Sequence, residues 1–578
     1  MATRPSASPP RLSPKPTGTH GLDIRGLEAG SMPGVGYGRF GRMFPFSGAM
    51  LPDECLLAIA RAMIKPDVSK PIDEPEPVDE NPAIPAGYTY FGQFVDHDIT
   101  LDPTPLKARS VDVAALEDFR TPALDLDCIY GRGPDDQPYM YDGVKLRLGD
   151  DISQAGAPVT TAQDLLRLPA VPGEIKRPAI LGDKRNDENR LVAQIQSLFI
   201  AFHNKVVDDA GLVSAGGGSM DDDVERFRGA VNIVRWHYQW LVVNDFLGRI
   251  LEPGMLREVL PEGGPPNLPN YTKDNARWAY LPVEFSGAAY RFGHSMIRPG
   301  YALNQAVLHQ DDSTVKPPAK QDGRISIFSR NDADPTANLN GFGMPLPRSW
   351  GFDWSFFFDN LPTGHLPKAF RVPQPSYRID ALLVGPLSDL PEFHGKPSPI
   401  GNLAWRNLVR GVSNLRLPSG EQVAKALGIV PLGPDILWSA GSRRLDRDAL
   451  EEDELKELDE VVENRREVFD NWVTGGGQVL RGNTPLWYYI LREAEYYGVL
   501  AKQGEGRTIG FGGQHLGPVG SRIVAETFIG LLWNDPKSYL RRWPGFKPLA
   551  PIAGPGGEFS VGRLAEYVFG GGAPVKQA

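Results

Sequence analysis

Apolar residues recur with helical spacing along much of the chain. After residue 188 they fall at Leu191, Ile195, Leu198, Phe199 and Phe202. A second series runs from Phe227 to Val242. Spacings of three and four residues place such positions on one face of a helix, so both series predict core-facing helices. Residues 448–472 predict a third, charge-rich helix, and strand-like alternation is scarce, so we expect a mainly α-helical fold with little β-structure and long loops.

Two shorter helices are predicted from the residues at their starts. Ser419 and Gln422 have the spacing of a capping box, in which each side chain bonds to the backbone amide of the other residue. Thr484 precedes Pro485, and proline is favoured at the first helical position because its missing N–H would be unpaired there anyway. We therefore expect helices to begin at residues 420 and 485.

The composition is that of a folded protein with many loops. Of the 578 residues, 41% are hydrophobic and 23% are charged, which excludes wholesale disorder. The 64 Gly and 54 Pro make up about a fifth of the chain, against a usual ~12%, and so predict long irregular connections. The net charge is −10, without a basic stripe, which argues against nucleic acid as a partner.

The two ends of the chain are expected to differ from its middle. Residues 1–20 are rich in Pro, Ser and Thr, so we assign residues 1–40 to an N-terminal extension that is partly disordered. Residues 41–570 are assigned to one domain, and residues 571–578 to a C-terminal tail. Within the domain, the acidic and Pro-studded segment 71–85 predicts an extended strap over the surface.

The sequence shows neither a membrane span nor a conventional signal peptide. No apolar run approaches the ~18 residues that a spanning helix needs, and the N-terminus lacks an apolar h-region. Cys55 and Cys128 are too few for a disulfide framework, which favours a reduced chain, although a single bridge stays open. We expect a cytoplasmic protein, or one secreted by a route without a conventional signal peptide. The sequence indicates no oligomeric state.

Two of the nine histidines have neighbours that suggest chemistry. His97, in TYFGQFVDHDIT (89–100), is flanked by Asp96 and Asp98 and follows Gln93 by one helical turn. This polar group comes directly after apolar residues, so it is pressed against a core, where buried polar atoms need partners. His294, in AAYRFGHSMIRP (288–299), follows a glycine that allows close approach by a bulky group. Both segments suggest a bound ligand or cofactor.

Five sequence blocks occur in an order that is typical of one enzyme family. They are GQFVDHD (92–98), TPALDLDCIYG (121–131), GDKRNDEN (182–189), YRFGHSMIRP (290–299) and WRNLVRGVSNLRLPSG (405–420). With these blocks, over roughly residues 85–550, the chain resembles the animal-type haem peroxidases of the peroxidase–cyclooxygenase superfamily and looks like a bacterial-style member. The resemblance implies a single helical catalytic domain around a central haem.

On the distal side of the haem, the resemblance implies three catalytic residues. His97 would be the general base that takes a proton from hydrogen peroxide and returns it to the leaving oxygen. Arg185 would stabilise the negative charge that develops as the O–O bond breaks heterolytically. Gln93 would hydrogen-bond a distal water or a bound halide.

The same resemblance implies the residues that hold the haem on its other side. His294 would be the proximal iron ligand. Asn407 would accept the proton of the second ring nitrogen of His294, which fixes the tautomer and raises the basicity of the ligand. Arg291 and Arg410 would pair with the haem propionates, since planar guanidinium groups match carboxylates.

Two acids match those that become ester-linked to haem methyl groups in the animal enzymes. They are Asp96 and Glu188, so we expect haem b in an ester-linked form. The family member with the strongest oxidising power has Met directly after this Glu, where the present chain has Asn189. This difference argues against efficient chloride oxidation.

A calcium site is indicated by the residues as well as by the resemblance. Thr121, Ala123, Asp125 and Asp127 recur at every second position, so side-chain and carbonyl oxygens of one loop can surround a hard cation. Asp98, from the distal block, would complete the shell. Three carboxylates on one site make little sense without a divalent ion. Because Asp98 directly follows His97, calcium should be coupled to the placement of that histidine.

The reaction expected from the resemblance is that of a peroxidase. Its substrates would be hydrogen peroxide and a small anionic or aromatic electron donor, such as a halide, thiocyanate or an aromatic compound. The first alternative is a fatty-acid dioxygenase of the same superfamily, but these enzymes carry a radical-forming Tyr at the position of Arg291. The second is a haem-binding adhesion or interaction module without turnover, against which the complete pair of His97 and Arg185 argues.

Overall fold

The protein is mainly α-helical, as its apolar periodicity predicts, with 47% helix and 9% strand. A computed structural model describes residues 38–65, 79–102, 106–108, 111–113, 116–154, 156–271, 279–309, 320–321, 324–328, 338–366, 371–397, 399–439, 447–497, 502–503, 507–508 and 512–570. The predicted N-terminal extension lies outside these residues except for 38–40, and so do the C-terminal tail and residues 71–78 of the predicted strap.

The described helices run along the whole of this range. In chain order they are α1 Asp53–Ala62, α2 Gly87–Ile99, α3 Asp127–Tyr130, α4 Arg190–Val206, α5 Ala210–Ala215, α6 Asp223–Trp240, α7 Leu247–Ile250, α8 Met255–Val259, α9 Val283–Gly287, α10 Gln305–His309, α11 Leu403–Val409, α12 Gly420–Ala426, α13 Pro434–Leu437, α14 Glu452–Val468, α15 Leu486–Tyr497, α16 Pro518–Asn534, α17 Tyr539–Arg542 and α18 Val561–Phe569.

The strands are short and form small separate sheets. They are β1 Gly38–Gly41, β2 Glu80–Pro85, β3 Glu117–Asp118, β4 Tyr141–Asp142, β5 Lys145–Leu146, β6 Leu148–Asp151, β7 Gln163–Leu165, β8 Leu281–Pro282, β9 Gly300–Tyr301, β10 Lys320–Gln321, β11 Arg324–Ser326, β12 Pro375–Tyr377, β13 Lys502–Gln503 and β14 Arg507–Thr508. β1 pairs with β3 (antiparallel) and β8 (parallel), and β11 pairs with β10 and β9. The remaining pairs are β2 with β12, β4 with β5, β6 with β7, and β13 with β14.

The helices predicted from apolar spacing are present with small changes at their ends. α4 and α6 correspond to the two apolar series, and α6 continues as a π-helical segment from Leu241 to Phe246. The capping box is formed, because Gln422 N donates to Ser419 Oγ and Ser419 N donates to Gln422 Oε1. α15 begins one residue later than predicted, and α14 is shorter than the predicted helix because a π-helical turn follows it.

Helix α2 runs through the aromatic centre of the fold. Phe94 stacks on Phe199 of α4 with ring centroids 5.0 Å apart, and Tyr238 of α6 packs edge-on against both rings. All three side chains are fully buried, and burial of large aromatic rings contributes strongly to a core. α2 is therefore held between α4 and α6, which fixes the direction of its polar residues.

A 3₁₀-helical segment from Ala289 to His294 also packs against α2. The Tyr290 hydroxyl of this segment donates to the Gly92 carbonyl of α2 over 3.1 Å. Trp487 of α15 donates from its indole nitrogen to the Arg291 carbonyl over 3.1 Å. The two histidine segments singled out in the sequence are thus neighbours.

The two cysteines do not form a bridge. Cys55 and Cys128 are both buried free thiols, which agrees with the reduced chain that their number favours. Within the described ranges, no helix combines the length and the apolar character needed to cross a bilayer.

Candidate active site

The polar residues of α2 lie at the end of a helix whose other residues are deeply buried. Phe91, Phe94 and Val95 have no exposed surface, and His97 and Asp98 are buried directly after them. α2 follows Pro85, which ends β2, and contains no further proline. The helix thus carries a histidine and an acid into the core, where each needs a partner.

A relay of amides fixes the ring of His97. Its Nδ1 atom lies 2.7 Å from Oδ1 of Asn186, whose Nδ2 donates to Oε1 of Gln196 over 2.8 Å. Gln196 Nε2 in turn donates to the carbonyl of Cys128 over 3.3 Å. Because a carbonyl oxygen can only accept, each amide has one orientation and His97 Nδ1 must carry the proton. In the neutral ring, the Nε2 atom of His97 is therefore the one without a proton.

Arg185 lies beside His97 on a 3₁₀-helical turn from Lys184 to Asp187. Its Nη2 donates to the His97 carbonyl over 3.0 Å and to Asp183 Oδ2 over 2.7 Å. Burial raises the pKa of Asp183, but the hydrogen bonds and the charge of Arg185 outweigh burial and lower this pKa to about 2. The carboxylate is therefore ionised at neutral pH and holds the guanidinium group in place.

One acid lies close to the Nε2 atom of His97, and two side-chain amides are hydrogen-bonded in sequence behind it. Glu188 Oε1 lies 3.4 Å from His97 Nε2 and also accepts from Nε2 of Gln93. Asn189 donates from Nδ2 to Gln93 Oε1 over 2.8 Å, and its own Oδ1 caps the first turn of α4. Asn189, which stands where the strongest oxidant of the resembled family has Met, thus orients Gln93 and caps the start of α4.

On the proximal side, His294 contacts Asn407 of α11. The His294 Nδ1 atom lies 2.8 Å from Asn407 Nδ2, while Asn407 Oδ1 accepts from Arg291 Nη1 over 2.6 Å. Burial, and then the charge of Arg291, lower the pKa of His294 to about 3, so the imidazole is neutral at physiological pH. The expected neighbours are together, but the amide presents its nitrogen to the histidine instead of its oxygen.

The two arginines expected to bind propionates have partners within the protein. Arg291 also donates from Nε to the Ser286 carbonyl over 2.8 Å. Arg410 begins a π-helical segment that ends at Asn414, and its Nη1 contacts Asp102 Oδ2 at 2.6 Å. π-Helical turns are frequent at functional sites. Burial, and then the positive charge of nearby Arg410, lower the pKa of Arg291 to about 10.

Several polar side chains of the distal and proximal segments are not fully covered by the protein. Burial shifts the pKa values of His294 and Arg291, yet both side chains keep some accessible surface. Asp96 is also half-buried, on a helix whose apolar residues are fully covered, and it acts electrostatically on both Arg185 and Arg291. A Cβ added at Gly293 would meet no atom within 4 Å. The neutral imidazole of His294, the acids Asp96 and Glu188, and the arginines Arg291 and Arg410 form a set of side chains that fits a haem.

The acidic residues of the predicted calcium site also lie close to one another. Asp98, Asp125 and Asp127 each offer one oxygen within 4.8 Å of the others, and Thr121 Oγ1 donates to Asp125 over 2.9 Å. Both oxygens of Asp98 are buried without a hydrogen-bond partner, and burial followed by the charge of Asp125 raises its pKa to about 8. Ala123 is buried in the same loop. We call these five residues the acidic cluster, and an orphaned buried carboxylate among acids fits a divalent cation.

Several residues of the site were not singled out from the sequence. Asn186 and Asp183 lie within the block that contains Arg185, so their position in that block was the available signal. Gln196 and Arg120 gave no such signal. Gln196 is a polar residue on the buried face of α4, so it needs a hydrogen-bond partner. The sequence does not show which residue that partner is.

Part of the chain is similar in sequence to known proteins. Residues 112–321 match the family model described as animal haem peroxidase, and this range includes residues 121–127 of the acidic cluster, Arg185 and His294. A stretch of 133 residues is 30% identical to human (Homo sapiens) thyroid peroxidase, covering 23% of this chain and 13% of that protein. The chain therefore matches only a small part of the length of this curated relative.

One solved structure shows the same fold at low sequence identity, and a second is less similar. Peroxidase A from Dictyostelium discoideum superposes with a TM-score of 0.50 and 14% identity, over 87% of this chain and 88% of that chain. A fatty acid alpha-dioxygenase from Oryza sativa has a TM-score of 0.47 and 16% identity, over 85% of this chain and 76% of that chain.

Proposed function

Because the chain belongs to the peroxidase–cyclooxygenase superfamily, we propose that it is a haem peroxidase that reduces hydrogen peroxide and oxidises a small anionic or aromatic donor. The observation that carries this proposal is the fixed tautomer of His97. Its Nδ1 proton is held by Asn186, so Nε2 of the neutral ring can accept a proton, and the guanidinium group of Arg185 is bonded to the His97 backbone carbonyl.

The distal residues divide the work on peroxide between a base and a cation. His97 Nε2 accepts the proton of one peroxide oxygen and delivers it to the other, which leaves as water when the O–O bond breaks. The remaining oxygen becomes a second water with two electrons from the donor and two protons. Arg185 stays charged throughout and stabilises the negative charge on the leaving oxygen. Asp183 prevents the guanidinium group from turning away. Gln93, oriented by Asn189, would hydrogen-bond a water or halide.

Haem b would be held by residues of the distal and proximal segments. His294 would provide the nitrogen that binds iron, Arg291 and Arg410 would meet the propionates, and Asp96 and Glu188 would form the esters. When bound, the haem supplies the iron at which the O–O bond is cleaved. The ester proposal is tested by acidified organic extraction after several cycles of peroxide, where we expect the haem to stay on the protein and complete recovery of free haem would reject the esters.

The acidic cluster would hold calcium. Asp98, Asp125 and Asp127 supply carboxylate oxygens, and Thr121 and Ala123 lie in the same loop to add side-chain and carbonyl oxygens. Removal of the cation should therefore disturb the distal helix, since Asp98 follows His97 directly. We expect calcium to restore the peroxide reaction after chelation, and magnesium to do so poorly because it demands a tighter octahedral shell.

The donor and the reaction class are tested together with the haem-loaded full-length chain. We expect peroxide to change the Soret band, and small donors such as iodide, thiocyanate and phenols to be oxidised. Oxygen uptake with an unsaturated fatty acid is the reaction of the dioxygenase alternative. Uptake of oxygen with fatty acid and inertness towards peroxide would overturn the proposal.

A further inference from the structure

Arg120 lies between the acidic cluster and the distal site. Its Nη1 contacts Asp127 Oδ1 at 3.1 Å, and its Nη2 contacts Asp183 Oδ2 at 2.7 Å. Nη2 also donates to the Gly182 carbonyl over 3.2 Å. The Arg120 side chain is 12% exposed and that of Asp183 is 2% exposed, so solvent screens these contacts weakly.

Asp183 shares its carboxylate between two guanidinium groups. Oδ2 lies 2.7 Å from Arg120 Nη2 and also 2.7 Å from Arg185 Nη2. The second contact is strengthened by Arg185 Nε, which lies 3.2 Å from both Asp183 oxygens. Alternating charges therefore run from Asp127 through Arg120 and Asp183 to Arg185.

The backbone of Arg120 is fixed as firmly as its side chain. Its N–H donates to Asp118 Oδ1 over 3.1 Å, and the same oxygen accepts from the N–H of Leu101, just after α2, over 2.7 Å. Its carbonyl accepts from the N–H of Gly38 over 2.9 Å. A guanidinium group on such an anchored residue has little freedom to leave its two carboxylates, which suits it to hold a neighbour in position.

We propose that Arg120 is a positioning residue that transmits occupancy of the acidic cluster to Arg185 through Asp183. A divalent cation at Asp127 competes with Arg120 for that carboxylate, so Arg120 binds Asp183 more strongly. Asp183 then balances less of the charge of Arg185, which leaves more positive charge for the distal pocket. The inference rests on the proposed peroxidase function and adds a second route from the cation to the catalytic groups, separate from the link between Asp98 and His97.

The test compares Arg120→Met and Arg120→Lys with the parent in the haem-loaded full-length chain. Arg132→Met is the matched control, because Arg132 is 56% exposed and pairs with Asp136 outside this network. Calcium affinity is measured by titration calorimetry after chelation, and the rate with hydrogen peroxide by stopped-flow absorbance with and without calcium chloride.

We expect Arg120→Met to bind calcium as tightly as the parent or more tightly, because a cation that competes for Asp127 is gone. Its peroxide reaction should be slower by about tenfold, which lies in the range of couplings between sites, and should respond less to calcium than the parent's, because only the link between Asp98 and His97 remains. Arg120→Lys should recover part of the rate, since an ammonium group can reach one carboxylate but cannot bridge two. The control should behave like the parent.

A double-mutant cycle separates a relay from two independent effects. If the effect passes through Asp183, the variant with both Arg120→Met and Asp183→Asn should react no more slowly than Asp183→Asn alone. The inference is overturned if the two losses add, if Arg120→Met reacts at the parent rate, or if its rate still rises with calcium as in the parent. A parent chain that does not react with peroxide would instead reject the proposed peroxidase function.

Discussion

The two histidines of the site are both held by an asparagine, but in opposite ways. His97 Nδ1 faces the oxygen of Asn186, whereas His294 Nδ1 faces the nitrogen of Asn407. The Asn186 amide is held by Gln196, while the oxygen of Asn407 is taken by Arg291. The distal nitrogen Nε2 is therefore an acceptor, and on the proximal side the ring proton is directed to Nε2.

This difference shows which half of the site is already arranged for its reaction. A nitrogen that carries a proton cannot bind iron, so iron ligation by His294 Nε2 requires the Asn407 amide to turn over. Arg291 must then donate elsewhere, which is consistent with its proposed pairing with a propionate. The orientation of the Asn186 amide beside His97 is set by a chain of hydrogen bonds within the protein. The orientation of the Asn407 amide beside His294 depends on which acceptor Arg291 donates to.

The largest expected effect is on the proximal side. His294→Ala should lose stable haem, because the neutral imidazole that would bind the iron is removed. The measurement is haem content and Soret absorbance after reconstitution and gel filtration. His394→Ala, which alters a half-buried loop histidine outside the site, should keep the haem. An unchanged Soret band in His294→Ala would contradict the assignment of the ligand.

The next largest effect should come from the distal cation. Arg185→Ala should slow the peroxide reaction by roughly 10²- to 10³-fold, as loss of a charge-stabilising donor does in other enzymes. Haem content should stay at the parent level, because Arg185 bonds to Asp183 and to the His97 carbonyl and not to the proximal residues. Stopped-flow absorbance measures the rate, and a parental rate would contradict the role.

Variants of the two asparagines test the difference between the distal and proximal sides most directly. Asn186→Ala should slow the peroxide reaction while haem affinity is kept, because only the tautomer of His97 is released. Asn407→Ala should weaken haem binding. Each effect should be about 10- to 100-fold, which is usual for residues that orient a ligand or catalytic group. Haem titration and stopped-flow absorbance measure both quantities, and exchanged effects would contradict the division of roles.

A smaller effect concerns pH and the distal ion pair. Asp183 has a pKa of about 2, below its ordinary value of 3.8, so its contribution to stability is present above pH ~4 and is lost as the pH falls towards 2. Asp183→Asn should lower the free energy of unfolding by about 2 kcal/mol at pH 7. In urea titrations this difference should shrink below pH ~4, and a constant difference would contradict the ion pair.

The smallest effect is expected at Asn189, which caps α4 and orients Gln93. Asn189→Ala should cost about 1 kcal/mol through loss of the helix cap. Asn189→Ser keeps a capping oxygen and should recover most of the stability without restoring the contact to Gln93. Thermal unfolding of the three proteins checks this, and equal melting temperatures would mean that the cap contributes nothing.

The parts of the fold that were predicted correctly rest on local signals. α4 and α6 follow from apolar spacing, and the start of α12 follows from a capping box, because the interactions involved lie within a few residues. The π-helical segments after α6, α11 and α14 have no such signal. Their shape depends on packing between distant parts of the chain.

The site divides in the same way. The sequence indicated His97, Arg185 and His294 because each lies in a recognisable block. It could not indicate that Asn186 holds His97 from 89 residues away or that Arg291 takes the oxygen of Asn407 from 116 residues away. Which atom of an amide faces a histidine is decided by the third group that binds the amide.

The central claim is that His97 is the base that moves the peroxide proton. The direct measurement is the stopped-flow rate of the haem-loaded full-length chain with hydrogen peroxide, for the parent and for His97→Ala at equal haem content. The account predicts a rate lower by roughly 10²- to 10⁴-fold in the variant, the range that general acid–base groups supply. A variant that reacts at the parent rate would contradict it.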